Sequence, residues 1–255
     1  MRETCVRAQS LGLQVVAFTD HADHTAIAGG RHLDLAGYRE SLARCRRAFP
    51  RLAIWSGAEL GEPHRFPVET AELLAQGDFD LVLGSVHAIE VGGRLEDCSM
   101  GPGGQGSDPV AWMRLYWGET LRLLESAGSF QVLAHLEYPK RYWPSGGQPY
   151  RAADYREEIQ TVLEQAARCE LILEINSSAG LEPERGLCPG PEVVRWWRAA
   201  GGRAVSVGSD AHRPGAVGRG LDRALEAAAW AGFTSGQILG GTLAARPLSL
   251  DGPPW

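Results

Sequence analysis

Short apolar runs recur along this chain, each closed by small or polar residues and most separated by stretches of helical period. The first is Val15 to Phe18, a compact β-branched run closed by Thr19, Asp20 and His21. Leu52 to Trp55 follows, closed by Ser56, Gly57, Ala58 and Glu59, and then Leu81 to Leu83, closed by Gly84, Ser85, Val86 and His87. Phe130 to Ala134 ends at His135 and Leu171 to Ile175 at Asn176. Ala204 to Val207 ends at Gly208, ahead of Ser209, Asp210, His212 and Arg213. Runs this short, bounded by glycine and polar residues, read as buried strands.

The segments between them read as helices. Residues 3–11 end at Gly12, and Asp34 is placed to cap a helix over Leu35 to Phe49 that Pro50 stops. Val68 to Gln76 ends at Gly77, and Asp108 with Pro109 opens a long helix to about Ala127. Ala152 to Arg168, Pro191 to Ala200 and Leu221 to Trp230 complete the set. Gly92 to Gly106 reads as a flexible loop, Tyr138 to Gln148 as a loop with aromatics, and the Gly- and Pro-rich end as an irregular tail. Six strands separated mostly by helices predict an α/β fold with a parallel sheet and helical crossovers. Their even spacing favours a closed barrel over an open sheet, in a single domain spanning residues 1–255.

Composition narrows the function classes. A formal net charge of −6 argues against a broad phosphate-backbone footprint, so no nucleic-acid partner is expected. No apolar run approaches about 18 residues, so no membrane partner is expected either. The opening MRETCVRAQSLG has no apolar signal core, and the five scattered cysteines form no CxxC pair. Both features fit reduced thiols and a cytoplasmic location.

In a parallel α/β barrel the working residues come from the C-terminal ends of several strands. Here those ends carry His21, Glu59, His87, His135, Asn176 and Asp210 with His212. Singly, each has an ordinary reading: a loop histidine, a helix cap, a solvated carboxylate, a turn asparagine. Jointly they are harder to explain as accidents, because four of the seven histidines sit at the same end of consecutive strands. Mixed imidazole and carboxylate donors suit zinc, manganese or iron. No GxSxG nucleophile motif competes, and no GxGxxG loop follows the first strand. His24, His32 and His64 lie away from strand ends; His24 is the nearest, since DHADH places it one turn beyond His21.

These residues fall in motifs that resemble the PHP family, the polymerase-associated and histidinol-phosphatase metal enzymes. The motifs are FTDH at 18–21, GAELGEP at 57–63, GSVH at 84–87, LAH at 133–135, LEINSSAG at 173–180 and GSDAHRPGAVG at 208–218. They run in order over nearly the whole chain. GSDAH with its downstream VG is specific, whereas TDH or LAH alone would be weak. The segment after GSVH and the LAH-x-x-x-x-K-R pattern at 133–141 most resemble the histidinol-phosphate phosphatase branch.

The resemblance implies a distorted seven-stranded (β/α) TIM-like barrel and a cluster of up to three divalent ions, zinc, manganese or iron. Glu59 would bridge two metals, with His87 and His135 completing one site and Asp210 belonging to the other. His21 and His212 would share the third. Metals bridged at about 3.5–4 Å hold a hydroxide for in-line attack on a phosphate ester. Glu59, Asp210 and His212 would act at the reacting group. Arg141, Arg213 and Lys140 would grip the phosphate, for which a guanidinium fork is well suited. Lys140, the only lysine in the chain, has a solvated surface charge as its bland reading. Asn176 is expected near the substrate, with Glu174 two residues before it on the same strand face, orienting ligands.

The family also opens with a strand ending in His-x-His, which this sequence does not contain. The expectation is therefore a barrel lacking its first strand, in which only the Glu59, His87, His135 site keeps all its implied protein ligands. A native start upstream of Met1, restoring the strand, is favoured over a truncation that has lost hydrolysis. An in-frame His-x-His after a β-run in the upstream genomic sequence is the test. Exposed strand edges along such a seam would also favour homo-oligomers. The implied activity is hydrolysis of a small phosphorylated metabolite, histidinol phosphate to histidinol and phosphate, in histidine biosynthesis. The rival readings are a nucleotide or oligonucleotide phosphoesterase, against which the loops lack a basic and aromatic platform, and a non-catalytic barrel.

Overall fold

The computed structural model describes residues 1–25, 33–101, 108–179 and 186–240. His32, Gly180, residues 102–107 of the expected glycine-rich loop and the tail beyond Gly240 lie outside the described residues. The order of elements is α1 (Arg2–Ser10), β1 (Val15–Asp23), α2 (Leu35–Ala48), β2 (Ala53–Gly61), α3 (Pro67–Gln76) and β3 (Leu81–Ser85). Then come β4 (Ala88–Val91), β5 (Arg94–Asp97), α4 (Pro109–Leu123), β6 (Val132–Leu133), α5 (Arg156–Arg168) and β7 (Ile172–Asn176). The last elements are α6 (Pro191–Ala199), β8 (Val205–Gly208) and α7 (Leu221–Trp230). Local chemistry starts the helices as expected: Asp34 accepts from the Gly37 N–H and Asp108 from the Val110 N–H.

Six strands pair in parallel in the order β1-β2-β3-β6-β7-β8. Their side chains alternate between two environments. Ile54, Ala58 and Leu60 of β2 point outward into the helix-covered core, where Trp117, Trp197, Ile159 and Leu163 are among the largest fully buried side chains. Trp55, Gly57 and Glu59 lie on the other face. Residues of β1, β2, β3, β7 and β8 all line one groove of about 740 Å³, so the sheet curls into a half-barrel, as a distorted TIM-like fold requires. The edge strands β1 and β8 flank this groove without pairing to each other. Among the described residues, Ile238 and Leu239 reach the outer edge of β8, through a parallel bridge and a hydrogen bond to Val205.

Several elements differ from the sequence reading. β1 does not stop at Phe18 but runs to Asp23, and β2 runs past Trp55 to Gly61. The two strands pair in unbroken register from Val15↔Ala53 to Asp23↔Gly61, and that ladder outweighs the polar and glycine residues read as strand ends. The expected loop from Gly92 begins instead inside an antiparallel hairpin of β4 and β5. Gly92 and Gly93, at φ 58° and 80°, form its two-residue turn, which only glycine or asparagine adopts at little cost. α4 ends at Leu123 and tightens into a 3₁₀ segment over Leu124–Ser129. No described helix is long and apolar enough to cross a membrane.

Candidate metal centre

Parallel register carries the chemistry of separate strands to one level. His21 of β1 lies opposite Glu59 of β2, which lies opposite Leu83 of β3. His87 follows β3 two residues after its end, and His135 follows β6 likewise. The four side chains meet. Glu59 Oε1 lies 2.7 Å from His135 Nε2 and 3.0 Å from His87 Nε2. His21 Nδ1 is 3.6 Å from Glu59 Oε2, and His21 Nε2 is 3.2 Å from His212 Nε2. Two groups of donor atoms, His21 with Asp23 and His87, and Glu59 with His87 and His135, each lie within 4.8 Å of one another.

Asp23 was not among the expected residues. It is 1% exposed, its Oδ1 lies 3.2 Å from His87 Nδ1, and its Oδ2 is buried without a hydrogen-bond partner. The signal was present in the sequence: on a strand, residues two apart share a face, so His21 and Asp23 belong together once β1 is seen to continue. His24 therefore points elsewhere, against the Phe66 ring. His64 is also outside the centre, 2.7 Å from Glu119.

A buried carboxylate between imidazoles is electrostatically tuned. Burial would push Glu59 up, but hydrogen bonds from His135 and His87 hold its carboxyl well below the usual carboxylate range. Burial likewise opposes charge on His87, yet Asp23 and Glu59 hold its pKa well above the usual imidazole range. Glu174 carries the opposite shift: burial and the nearby Asp210 and Glu59 charges raise its pKa, while its Oε2 accepts from the His135 N–H at 2.9 Å. It fixes the backbone of His135, which sits at φ 24°; Asp210 is at φ 47°. Left-handed backbone at non-glycine residues is costly and recurs where a site dictates the conformation. Asp23 Oδ2, buried without a hydrogen bond and 3.6 Å from His21 Nδ1, together with this set of imidazole and carboxylate donors, fits a zinc-, manganese- or iron-type ion.

The remaining expected residues divide. Asp210, His212, Arg141 and Arg213 line the same cleft of about 660 Å³ as His21, Asp23, Glu59, His87 and His135. Asp210 lies apart from the two donor groups; its Oδ2 accepts from Arg141 at 3.1 Å. Arg141 also donates to Asn176 Oδ1 at 2.6 Å, so Asn176 supports the arginine. Lys140 is a correction. Its ammonium is buried, 2.8 Å from Glu137 Oε2, and it does not line the cleft. Glu137 takes it because that carboxylate is itself 1% exposed and needs a counter-charge.

A model of the PHP domain matches residues 1–178 of this sequence. The chain belongs to the PHP family. The histidinol-phosphatase of Lactococcus lactis subsp. lactis is 26% identical over 212 residues, covering 83% of this chain and 77% of that protein. A probable histidinol-phosphatase of Thermotoga maritima is 36% identical over 120 residues, 46% of this chain and 47% of that protein. The PHP fold is shared with solved structures. The histidinol phosphate phosphatase of Lactococcus lactis, crystallised with zinc, L-histidinol and phosphate, aligns with a TM-score of 0.77. That alignment covers 91% of this chain and 88% of the other at 23% identity. A putative histidinol phosphatase of Listeria monocytogenes aligns with a TM-score of 0.71 at 17% identity, over 87% and 92% of the two chains.

Proposed function

We propose that this PHP domain is a metal-dependent phosphomonoesterase that hydrolyses histidinol phosphate to histidinol and phosphate. The carrying observation is the convergence of His21, Asp23, Glu59, His87 and His135 on one floor, with Arg141 and Arg213 lining the same cleft. The names of the sequence relatives support the substrate.

In this reading His21, Glu59, His87, His135, Asp210 and His212 would hold up to three divalent ions, zinc foremost, and Asp23 would join them. Bound there, such ions would supply Lewis-acid charge for phosphoryl oxygens and for an attacking water. Glu59 holds two imidazoles in place and keeps its own proton off. Asp210 orients Arg141, and Asn176 braces the same guanidinium from its other side. Arg141 and Arg213 then bind the phosphate oxygens, Arg141 as a preset fork and Arg213 from the exposed rim. The catalytic work at the reacting group falls to Glu59, Asp210 and His212.

Inorganic phosphate release tests the assignment. The chain supplied with zinc or manganese should release phosphate from histidinol phosphate with a higher kcat/KM than from nucleoside monophosphates. Faster release from the nucleotides would favour the rival phosphoesterase reading instead. Glu59→Gln should lower the rate by about two orders of magnitude or more, since a residue holding two other donors acts as part of a unit.

A further inference from the structure

The side chains of the two donor groups are not held alike. His21, Asp23 and Glu59 lie within β1 and β2, whose ladder runs unbroken from Val15↔Ala53 to Asp23↔Gly61. His87 and His135 lie past the last residues that β3 and β6 pair in the parallel sheet. Of these two, His87 carries the heavier duty, because it belongs to both donor groups. Its Nδ1 lies 3.2 Å from Asp23 Oδ1 and its Nε2 3.0 Å from Glu59 Oε1, so one ring direction serves both.

The His87 backbone is anchored by a buried carboxylate outside both donor groups. Glu62, one residue beyond β2, is 0% exposed. Its Oε1 accepts from the His87 N–H and from the Ala88 N–H, the latter at 2.8 Å. Its Oε2 is buried without a hydrogen-bond partner, so these two bonds are all that the side chain makes among the described residues. The Glu62 N–H donates to the Ser85 carbonyl at 3.0 Å, which fixes the clamp against the end of β3. The Cys98 N–H donates to the His87 carbonyl at 2.7 Å, so His87 is held through both of its backbone polar groups. Glu62 sits at φ 47°, a left-handed conformation that glycine adopts freely and glutamate does not. Burying a carboxylate adds a second cost. The side chain's task accounts for both, since an ionised acceptor binds backbone N–H groups more strongly than a neutral one. Glu174 does the same for His135, accepting from its N–H at 2.9 Å. Each histidine that flanks Glu59 is thus tied by its N–H to a buried glutamate on, or just beyond, an adjacent strand.

We propose that Glu62 is a positioning residue for the metal centre: by holding the His87 and Ala88 N–H groups it sets the His87 ring between Asp23 and Glu59. It thereby governs how tightly both donor groups bind a divalent ion, without touching ion or substrate. This rests on the metal-dependent reading above.

Zinc affinity, measured on the full chain by competition with a chromogenic chelator, tests it in two variants. Glu62→Gly removes the clamp and suits the left-handed backbone, whereas Glu62→Gln keeps a carbonyl oxygen for both N–H groups. Glu62→Gly should weaken zinc binding by about 10- to 100-fold, the loss usual for a residue that orients a metal-bound histidine. Glu62→Gln should bind zinc as the unsubstituted protein does, and that rescue is the mark of positioning. A merely structural role would instead lower the stability of the metal-free protein in urea and leave the zinc affinity of the folded chain unchanged. Unchanged affinity in Glu62→Gly, or equal losses in both variants, would overturn the proposal while the metal centre stands. Should Glu62→Gly not fold, Glu62→Asn takes its place as a side chain too short to reach. Failure of both to fold would overturn positioning in favour of the structural role. If the unsubstituted protein binds no zinc, the metal-dependent reading and the proposal fall together.

Discussion

At the scale of single residues, burial decides what a charge is for. Lys140 reads in sequence either as a phosphate ligand, which the family resemblance implies, or as a solvated surface charge. In the fold it is 5% exposed, and its partner Glu137 also accepts from Tyr150 Oη at 2.8 Å and from the Gly190 N–H at 2.5 Å. Glu137 thereby joins three separate chain segments just beyond His135. Removing one member of a buried pair leaves the other uncompensated, so Lys140→Met should destabilise the fold by about 3–5 kcal/mol in urea unfolding. A loss under about 1 kcal/mol would return Lys140 to the role of a solvated charge. That burial was not legible in the sequence, because Glu137, Tyr150 and Gly190 are brought together only by tertiary packing. The convergence of His21, Glu59, His87 and His135 could be anticipated from the polar residues that follow the apolar runs, although β1 and β2 continue past the ends those runs suggest. Asp23 escaped notice for the converse reason: β1 continues through Thr19, Asp20 and His21, which look like a strand's end.

At the scale of elements, the strands make room for the site by omitting side chains. A Cβ on Gly61 would stand 2.2 Å from Asp23 Oδ1, and one on Gly208 would stand 2.3 Å from Glu174 Oε1. Gly61 ends β2 and Gly208 ends β8, and each glycine marks the close approach of a carboxylate. Gly61→Ala should displace Asp23 and weaken zinc binding by about 10- to 100-fold, as loss of a supporting contact does at metal sites. Unchanged affinity in a competition titration would remove Asp23 from the centre. The packing of α4 beside the barrel supplies a pH test remote from the metal. Glu119 on α4 is fully buried and bonded to His64, Arg65 and Arg122. Burial opposes its charge, but these partners hold its carboxyl far below the ordinary value of 4.5. A depressed carboxyl contributes stability in full above its unfolded pKa and loses it as pH falls toward the folded one. Unfolding free energy should therefore fall from about pH 6 to pH 3 more steeply in the parent than in Glu119→Gln. Equal slopes would show that the network adds no pH-dependent stability.

At the scale of the whole molecule, six parallel strands curl into a half-barrel round a shared interior, with β1 and β8 flanking one groove. The alternation of apolar runs and helices made this architecture readable, together with the polar rim at the strand ends. The β4–β5 hairpin was hidden because two adjacent glycines resemble a loop as much as a turn. The edge of β1, which pairs with no second strand among the described residues, invites pairing between copies, so the chain should self-associate as its concentration rises, in sedimentation equilibrium. A monomer across the whole range would mean that this edge is protected. The account rests above all on imidazoles and carboxylates from separate strands holding metal together, and metal stoichiometry by elemental mass spectrometry addresses this directly. The protein equilibrated with zinc and freed of excess should retain at least two ions per chain, one for each donor group, and Glu59→Gln should retain fewer. Zinc-free protein, or the same content in both, would contradict the convergence from which the phosphatase reading is built.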